Sequence, residues 1–436
     1  MGASISEQRE WGDALLAAVR ELPGGRELLH VAEEHDDVEL VGGAVRDLLL
    51  GRTPRELDVI VDGAAATFAG ELVAIFDERF ADDGLRGDVD SHERFGTAVV
   101  RLGDARIDVA TRRAESYAFA GALPDVRAGS PQEDLSRRDF TVNAIALALD
   151  GPRRGRLRAA PHALEDLDEA SLRVLHDASF ADDPTRLLRM ARYWARLGFE
   201  PEQHTAQLAA AALAAGALAT VSHARIGAEL RLALAEPDPV AALAALDRLG
   251  VLSALHEAIE LDAPLARAAL AALPEVREAW PDVLLLASLL LPAQAYDTTD
   301  YETRLRVLLD GLEIPAAERE RTVHSAILAP RVAERLTRAS TPSQIYEVVH
   351  DVPLEATALA AALADARGAP VAAAAARRWL DELRHVRLTI GGDDLLAAGV
   401  AAGPQVGRCL RGALMRKLDG ELHGREDELR AALEET

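Results

Sequence analysis

An α+β fold is predicted, and three observations predict it. Strand-like and helix-like segments alternate between residues 39 and 150; nearly everything beyond Gly151-Pro152 reads as helix; and 49% of the 436 residues are hydrophobic with only 4% aromatic, the composition of an Ala/Leu-rich helical protein. A chain of this length holds about two to four domains and buries a sizeable core.

Taken in order, residues 11–35 carry a helical pattern. ELVGG (39–43) is a short strand, AVRDLLLG a helix closed by Gly51, and LDVIVDG (57–63) a strand followed by a turn. ATFAGELVAIFDERF (66–80) is an amphipathic helix. FGTAVVRLGDARIDVAT (95–111) predicts a hairpin of two β-branched strands around a Gly-Asp turn. After a Pro/Gly-rich loop at 121–131, DLSRRDFTVNAIALALD (134–150) is helix, or helix then strand, and the mixed signals end near residue 152. Helical hairpins follow with no strict repeat, broken near 236–239, 291–298 and 367–370, and glycines bound short helices in 388–422. The chain thus divides near residue 152 into a mixed α and β part and a helical part.

A single cysteine, Cys409, excludes a disulfide framework and a thiolate zinc site. No apolar run approaches the roughly 20 residues that span a bilayer, and MGASISEQRE lacks a signal-peptide charge pattern. No membrane association and a cytoplasmic location are therefore expected. The net charge of −24 argues against a surface coated for phosphate binding. Residues 101–200 nevertheless hold 16 basic and 16 acidic groups, the only neutral stretch, and its cations are all arginine. That stretch and the tail cations Arg408, Arg411, Arg416 and Lys417 are expected to line one concave side.

Two glycines, Gly42 and Gly43, follow a strand and open a helix, where backbone N–H groups can seat a triphosphate; Arg46 lies one turn in. The plain alternative is a β-turn-α corner with Arg46 paired to Asp47. Glu56 and Asp58, two apart on a strand, project from one face, and Asp108 is a third carboxylate in the hydrophobic strand RIDVA. Three carboxylates on one sheet face could hold two Mg²⁺ ions. Alternatively, Glu56 and Asp58 are solvated strand-end residues and Asp108 pairs with an arginine. In ADDPTRLLRMARYW, Asp183 caps a helix with Pro184 in its first turn, and Arg186, Arg189 and Arg192 recur every three residues. An aspartate accepts from the exocyclic amine of cytosine or adenine while an arginine donates to the ring, so Asp183 and Arg186 can mimic a Watson–Crick edge. A cap with surface arginines lying over an Ala-rich helix is the plain reading.

VGGAVRDLLLGRTPRELDVIVDG, HERFGTAVV, RIDVATRRAESY, GALPDV, EDLSRRDFTVNAIAL and FADDPTRLLRMARYWARLGF occur in this order. Together with GGDDLLAAGVAAGPQVGRCLRGALMRKLDGEL near the C-terminus, they resemble the class II tRNA nucleotidyltransferase and bacterial poly(A) polymerase family. The resemblance is dense over 39–200 and 388–425 and thin between. It implies a helical leader at 1–29 and a polymerase-β-like nucleotidyltransferase head at 30–152, a mixed sheet with helices, followed by an all-α neck at 153–260, body at 261–385 and RNA-binding tail at 386–436. It places the nucleotide on Gly43 and Arg46, metals at Glu56 and Asp58, a phosphate contact at Arg138 within Arg137-Arg138-Asp139, and base reading at Asp183, Arg186, Arg189 and Arg192. The implied reaction adds CMP or AMP from CTP or ATP to a tRNA 3′ end, with Mg²⁺, or Mn²⁺ in its place, as cofactor. No protein partner is inferable.

Three positions depart from the family pattern. Glu56 stands where the family has Asp, and the extra methylene disturbs the strict geometry of Mg²⁺; Ala160 and Asp182 replace an Asp and a Glu. LLLASLLLP (284–292) has no histidine where a His-Asp phosphohydrolase domain would place one, and His350-Asp351 reads as a helix-end pair. The alternatives are an A-adding or CC-adding partial enzyme, a poly(A) polymerase, and a non-catalytic RNA-binding paralogue with a decayed metal site. A dinucleotide-binding enzyme fails because GGAVRDLLLG lacks the G-x-G-x-x-G spacing.

Overall fold

The computed structural model describes residues 5–92, 96–291 and 298–435. Glu93, Arg94 and Phe95 of HERFGTAVV and Pro292 of LLLASLLLP lie outside the described residues, as does part of the expected break at 291–298. The chain forms two compact units, Met1–Val221 and Ser222–Thr436.

The first unit begins with α1 (Ile5–Glu21) and α2 (Gly25–Glu33). These are two helices rather than the one expected over 11–35, because Pro23 and Gly24 interrupt the run. There follow β1 (Glu39–Val41), α3 (Gly43–Leu49), β2 (Leu57–Val61), α4 (Ala65–Arg79), β3 (Gly87–His92), β4 (Thr97–Leu102), β5 (Ala105–Thr111), β6 (Arg113–Ser116) and β7 (Asp125–Ala128). After α5 (Pro131–Ser136) come β8 (Ile145–Ala148), β9 (Leu157–Ala159), α6 (Ala163–Asp168), β10 (Ser171–Leu172), α7 (Ser179–Asp182), α8 (Thr185–Leu197), β11 (Glu200–Pro201) and α9 (Gln203–Ala214). Seven strands make one mixed sheet in the order β3-β4-β5-β2-β1-β8-β9, antiparallel except for the central pair β2/β5. The sheet therefore runs past residue 152: β9 is a three-residue edge strand carrying Arg158, too short and too polar to read as a strand beforehand.

Residues 134–150 resolve as helix then strand, since Ser130 and Glu133 form a capping box that starts α5 and the fully buried IALA run becomes β8. The β4–β5 hairpin turns at Gly103-Asp104, as the sequence indicated. Val41, Ile60, Leu135 and Ala146 pack together, so α5 covers one end of the sheet face and leaves the other end, where Asp58 and Asp108 stand, open to chemistry.

The second unit is helical throughout its described residues. Its elements are α10 (His223–Leu234), α11 (Pro239–Arg248), α12 (Val251–Leu255), α13 (Ala263–Ala272), α14 (Pro281–Leu289), α15 (Thr298–Gly311), α16 (Ala316–Leu336) and α17 (Pro342–Val349), then α18 (Leu354–Ala366), α19 (Pro370–Asp381), α20 (Gly392–Ala397), α21 (Pro404–Leu418) and α22 (Arg425–Glu434). α18 is buried over Glu355–Ala364 and is alanine-rich, with Glu355 and Thr357 its polar members there, and α13, α16 and α19 pack against it. Near the C-terminus, Glu428 is buried and accepts from Thr389 and from Lys417 Nζ. Arg416 is paired with Glu421 and Glu434, and Arg411 with Glu347, so with Lys417 three of the four tail cations expected to line a concave side have carboxylate partners. Among the described residues, no helix is long and apolar enough to cross a membrane.

Candidate active site

Gly42 joins β1 to α3 at φ +71° and ψ −133°, a conformation only glycine adopts at ease. A Cβ there would lie 2.9 Å from Arg138 Nη1 and 3.8 Å from Asp58 Oδ2, so the bare bend faces a cation on one side and a carboxylate on the other. The Gly42 N–H donates to the Ile145 carbonyl at 3.0 Å, which leaves Gly43 with the first amide at the helix start. Beneath Gly43 sits Arg46, whose Nη2 would be 3.4 Å from a Cβ on that glycine. Arg46 is fully buried: it donates to Asp47 at 2.7 and 2.8 Å and to Asn143 Oδ1 at 2.5 Å, and lies 5.5 Å from the Tyr193 ring centre. It thus supports the glycine bend from below, and its pairing with Asp47 is the plain alternative weighed above.

Asp58 and Asp108 are direct partners across the parallel β2/β5 pair and stand on one face. Glu56 precedes β2 on the same side and is exposed. Between them lies a group that the sequence pattern did not single out. Arg106, two residues before Asp108 and so on its face, donates to both Asp108 oxygens at 2.8 Å, and its Nε lies 3.6 Å from Glu56. Among the described residues no three ligating side chains gather at metal-binding spacing, and the Arg106 guanidinium lies among these acids. The donor chemistry still suits a hard divalent cation. Burial, with the negative charges of Glu56 and Asp108, pushes the Asp58 carboxyl up to about 7, against the pull of Arg138 and Arg106. A site that disfavours its own carboxylate charge to this degree is one that an oxygen-seeking cation relieves.

Arg138 donates to Asp134 Oδ2 at 3.0 Å, while its Nε is buried without an acceptor. Asp139 points the other way, into the interior. It accepts from the Phe140 N–H (2.8 Å), Asn143 Nδ2 (2.9 Å), and Arg189 Nε (2.9 Å) and Nη2 (2.5 Å). Burial alone would raise its pKa, but Arg189 and these donors hold it well below the usual carboxylate range. Arg189 also donates to the Tyr193 hydroxyl at 3.1 Å. The ring Arg46–Asn143–Asp139–Arg189–Tyr193 therefore closes on itself and fastens α8 to the glycine bend. Asn143 and Tyr193 were not picked out beforehand; the spacing of four between Arg189 and Tyr193 on a helix was the available signal.

Asp183 caps α8, accepting from the Thr185 N–H at 3.0 Å and its hydroxyl at 2.6 Å. Arg186 is buried, with Nη1 on Ser179 Oγ (2.6 Å) and Nη2 on the Arg137 carbonyl (2.9 Å); Arg192 is buried as well. Arg186, Arg189 and Arg192 thus do not form one exposed ladder: Arg186 and Arg192 are buried, and Arg189 is held by Asp139. Tyr117, also unforeseen, donates to Glu115 at 3.2 Å, and burial with the nearby Glu115 charge pushes its phenol up to about 12. Arg186 and Asp183 lie within its electrostatic reach.

Residues 38–173 match the family model described as the Poly A polymerase head domain. The chain is 35% identical over 424 residues to an A-adding tRNA nucleotidyltransferase of Geobacter sulfurreducens, covering 91% of this chain and 45% of that protein. It is 32% identical over 400 residues to a CC-adding tRNA nucleotidyltransferase of Deinococcus radiodurans, covering 90% of this chain and 87% of that one. The chain belongs to the class II tRNA nucleotidyltransferase family. The fold agrees: a Thermotoga maritima CCA-adding enzyme, solved in complex with tRNA, superposes with a TM-score of 0.73 at 26% identity, covering 97% of this chain and 98% of that one. The chain spans less than half the length of the first curated nucleotidyltransferases it matches.

Proposed function

We propose that this nucleotidyltransferase adds CMP or AMP, without a template, from CTP or ATP to the 3′ end of tRNA, in the cytoplasm. The observation that carries the reading is the Gly42 bend, with the under-satisfied Arg138 guanidinium on one side and the Asp58 carboxylate on the other. An anion seat beside a cation seat is what a nucleoside triphosphate with its metal requires. We read the helical segments as neck, body and tail that grip the RNA.

In the reaction, the tRNA 3′-hydroxyl oxygen attacks the α-phosphorus in line. A new O–P bond forms, the bond to the bridging oxygen breaks, pyrophosphate departs, and the hydroxyl proton passes to water. Arg138 and the Gly43 amide hold the phosphates, while Arg46 keeps the bend rigid from beneath. Asp183 and Arg186 present an acceptor and a donor to the base, and Arg189 and Arg192 fix the helix that carries them. Mg²⁺, with Mn²⁺ as the alternative, held by Glu56 and Asp58 with Asp108 beside them, would supply the positive charge that the reacting oxygens demand.

A second reading, a non-catalytic RNA-binding paralogue, is favoured by one observation: Glu56 replaces the family aspartate and Arg106 clamps Asp108. One experiment separates them. The protein is incubated with tRNA lacking CCA or ending in CC, labelled CTP or ATP, and Mg²⁺ or Mn²⁺. Incorporation is expected, and the accepted end distinguishes CCA, CC and A addition. RNA binding with no incorporation under either metal would overturn the transferase reading in favour of the paralogue.

A further inference from the structure

The second unit contains a cleft of about 910 Å³ whose walls combine aromatic rings with cations. Tyr346 of α17 and His350, which caps that helix one turn on, are stacked at 4.6 Å and 13°, and Trp379 of α19 meets Tyr346 edge-on at 5.7 Å. The Trp379 indole N–H is buried and has no acceptor. His350 is held in place by Asp351 at 2.9 Å, so its ring orientation is fixed. At the rim, Arg384 and Arg387 bond only to carbonyls of their own segment: Arg384 Nε to Leu380, Arg387 Nη1 to Arg384 and Val386. Neither has a carboxylate partner among the described residues, although the chain carries an excess of 24 negative charges. Arg411 completes the rim and touches Glu347 only at 3.4 Å.

Each feature asks for the same complement. A stacked pair of flat rings is extended by another flat ring, an unpaired indole N–H seeks an acceptor, and unpaired guanidinium groups seek an anion. An acidic peptide would satisfy the arginines but not the stack. We propose that this cleft binds a nucleotide unit, its base extending the Tyr346–His350 stack and its phosphate held by Arg384 and Arg387. The volume suffices for one such unit. The site lies wholly within residues 222–436 and does not depend on the reaction proposed for the head.

The test uses the full chain with two photoreactive probes, 8-azido-ATP and an RNA hexamer containing 4-thiouridine, cross-linked and mapped by mass spectrometry. Cross-links at Tyr346, His350 or Trp379 are expected. If azido-ATP produces them, the ligand is a free nucleotide; if only the RNA does, it is a residue within a chain. The Arg384→Ala/Arg387→Ala variant is expected to weaken the reacting probe at least about tenfold. For RNA, the variant should also reduce the salt slope by roughly 0.7 for each phosphate no longer neutralised. Thermal unfolding checks that the variant is folded, and Arg387→Ala alone, on an exposed side chain, replaces it if it is not. Cross-links confined to residues 1–221, unchanged affinity in the folded variant, or equal competition by polyglutamate would each overturn the proposal. Cross-linking without incorporation at tRNA ends would instead count against the transferase reading alone.

Discussion

Replacing Asp139 by Asn tests whether the buried ring, and not the sheet alone, holds α8 against the glycine bend. The wild-type carboxylate accepts four hydrogen bonds, two of them from the Arg189 guanidinium. Asparagine keeps the shape, but one of its terminal atoms becomes a donor facing donors, and Arg189 loses its counter-charge. Removing one partner of a buried pair costs about 3–5 kcal/mol. Arg189 retains 34% side-chain exposure, so water recovers part of that, and about 2–4 kcal/mol is expected. For a unit the size of residues 1–221, this lowers the melting temperature by about 5–12 °C. Hydrogen exchange of peptides spanning Phe140–Asn143 and Arg189–Tyr193 should quicken by roughly 30-fold or more. The pH dependence has a definite sign. Because the folded pKa is depressed, the stabilisation is present above the unfolded carboxylate value of about 3.9 and is lost as pH falls below it through the folded value. The gap between wild type and Asp139→Asn should therefore be flat from pH 6 to 8 and shrink below about pH 4. A melting temperature within about 1 °C of wild type at pH 7 would show that the ring is incidental.

Asp58→Asn should do the opposite to stability. The Asp58 pKa is raised to about 7, so its ionisation drains stability as pH climbs from the unfolded value towards 7. The metal-free variant should then melt above wild type at pH 8, by about 2 kcal/mol after allowance for partial exposure, with the difference gone near pH 4 and nucleotide incorporation abolished. A variant no more stable than wild type at pH 8 contradicts the charge crowding. Gly42→Ala places a Cβ 2.9 Å from Arg138 Nη1 in a left-handed conformation, and steady-state assays should show incorporation down by about 100-fold or more with the fold retained. Activity within about threefold of wild type would mean the bend seats nothing. Glu56→Asp withdraws the carboxylate by one methylene from Arg106 and should raise Mg²⁺-supported incorporation several-fold relative to Mn²⁺; an unchanged ratio would locate the metal preference elsewhere.

The legible parts of the site were those that violate a local preference. Asp58 stood out by its two-residue spacing from Glu56, and Asp108 because an acid is unwelcome in a hydrophobic strand, and the two do sit side by side. Gly42 stood out because it follows a strand directly, and its backbone conformation is one glycine accommodates. What could not be read was the partner each arginine chooses. Arg106 shares a face with Asp108 by the two-residue period, which makes the clamp available but does not select it over solvent. Arg186, proposed above as a base reader, is not the surface side chain of the plain reading: it is buried against Ser179 and the Arg137 carbonyl, contacts 7 and 49 residues away. Such choices are settled by tertiary packing. The extra strand β9 escaped for a different reason: three residues are too few to show alternation.

The neutral middle segment illustrates how far a charge count misleads about surface. Its 16 arginines suggested a polyanion-binding face. In the structure Arg112 and Arg158 converge on the buried Glu39, Arg137 joins Glu115 to Asp134, Arg173 holds Asp166 and Arg189 holds Asp139. These five cations are taken up by acids that are buried or nearly so, tying strands to helices. Arginine suits that role because its planar fork satisfies a carboxylate with two parallel bonds. Arg112 Nε also lacks an acceptor, but both of its terminal nitrogens are taken by acids, so Arg138 is the instructive case. It shares Asp134 with Arg137, keeps Nε without an acceptor, and extends Nη1 to the glycine bend. On the function proposed above, a guanidinium that shares its acid with another arginine and faces the glycine bend is a better candidate for the phosphate than any that net charge would pick out.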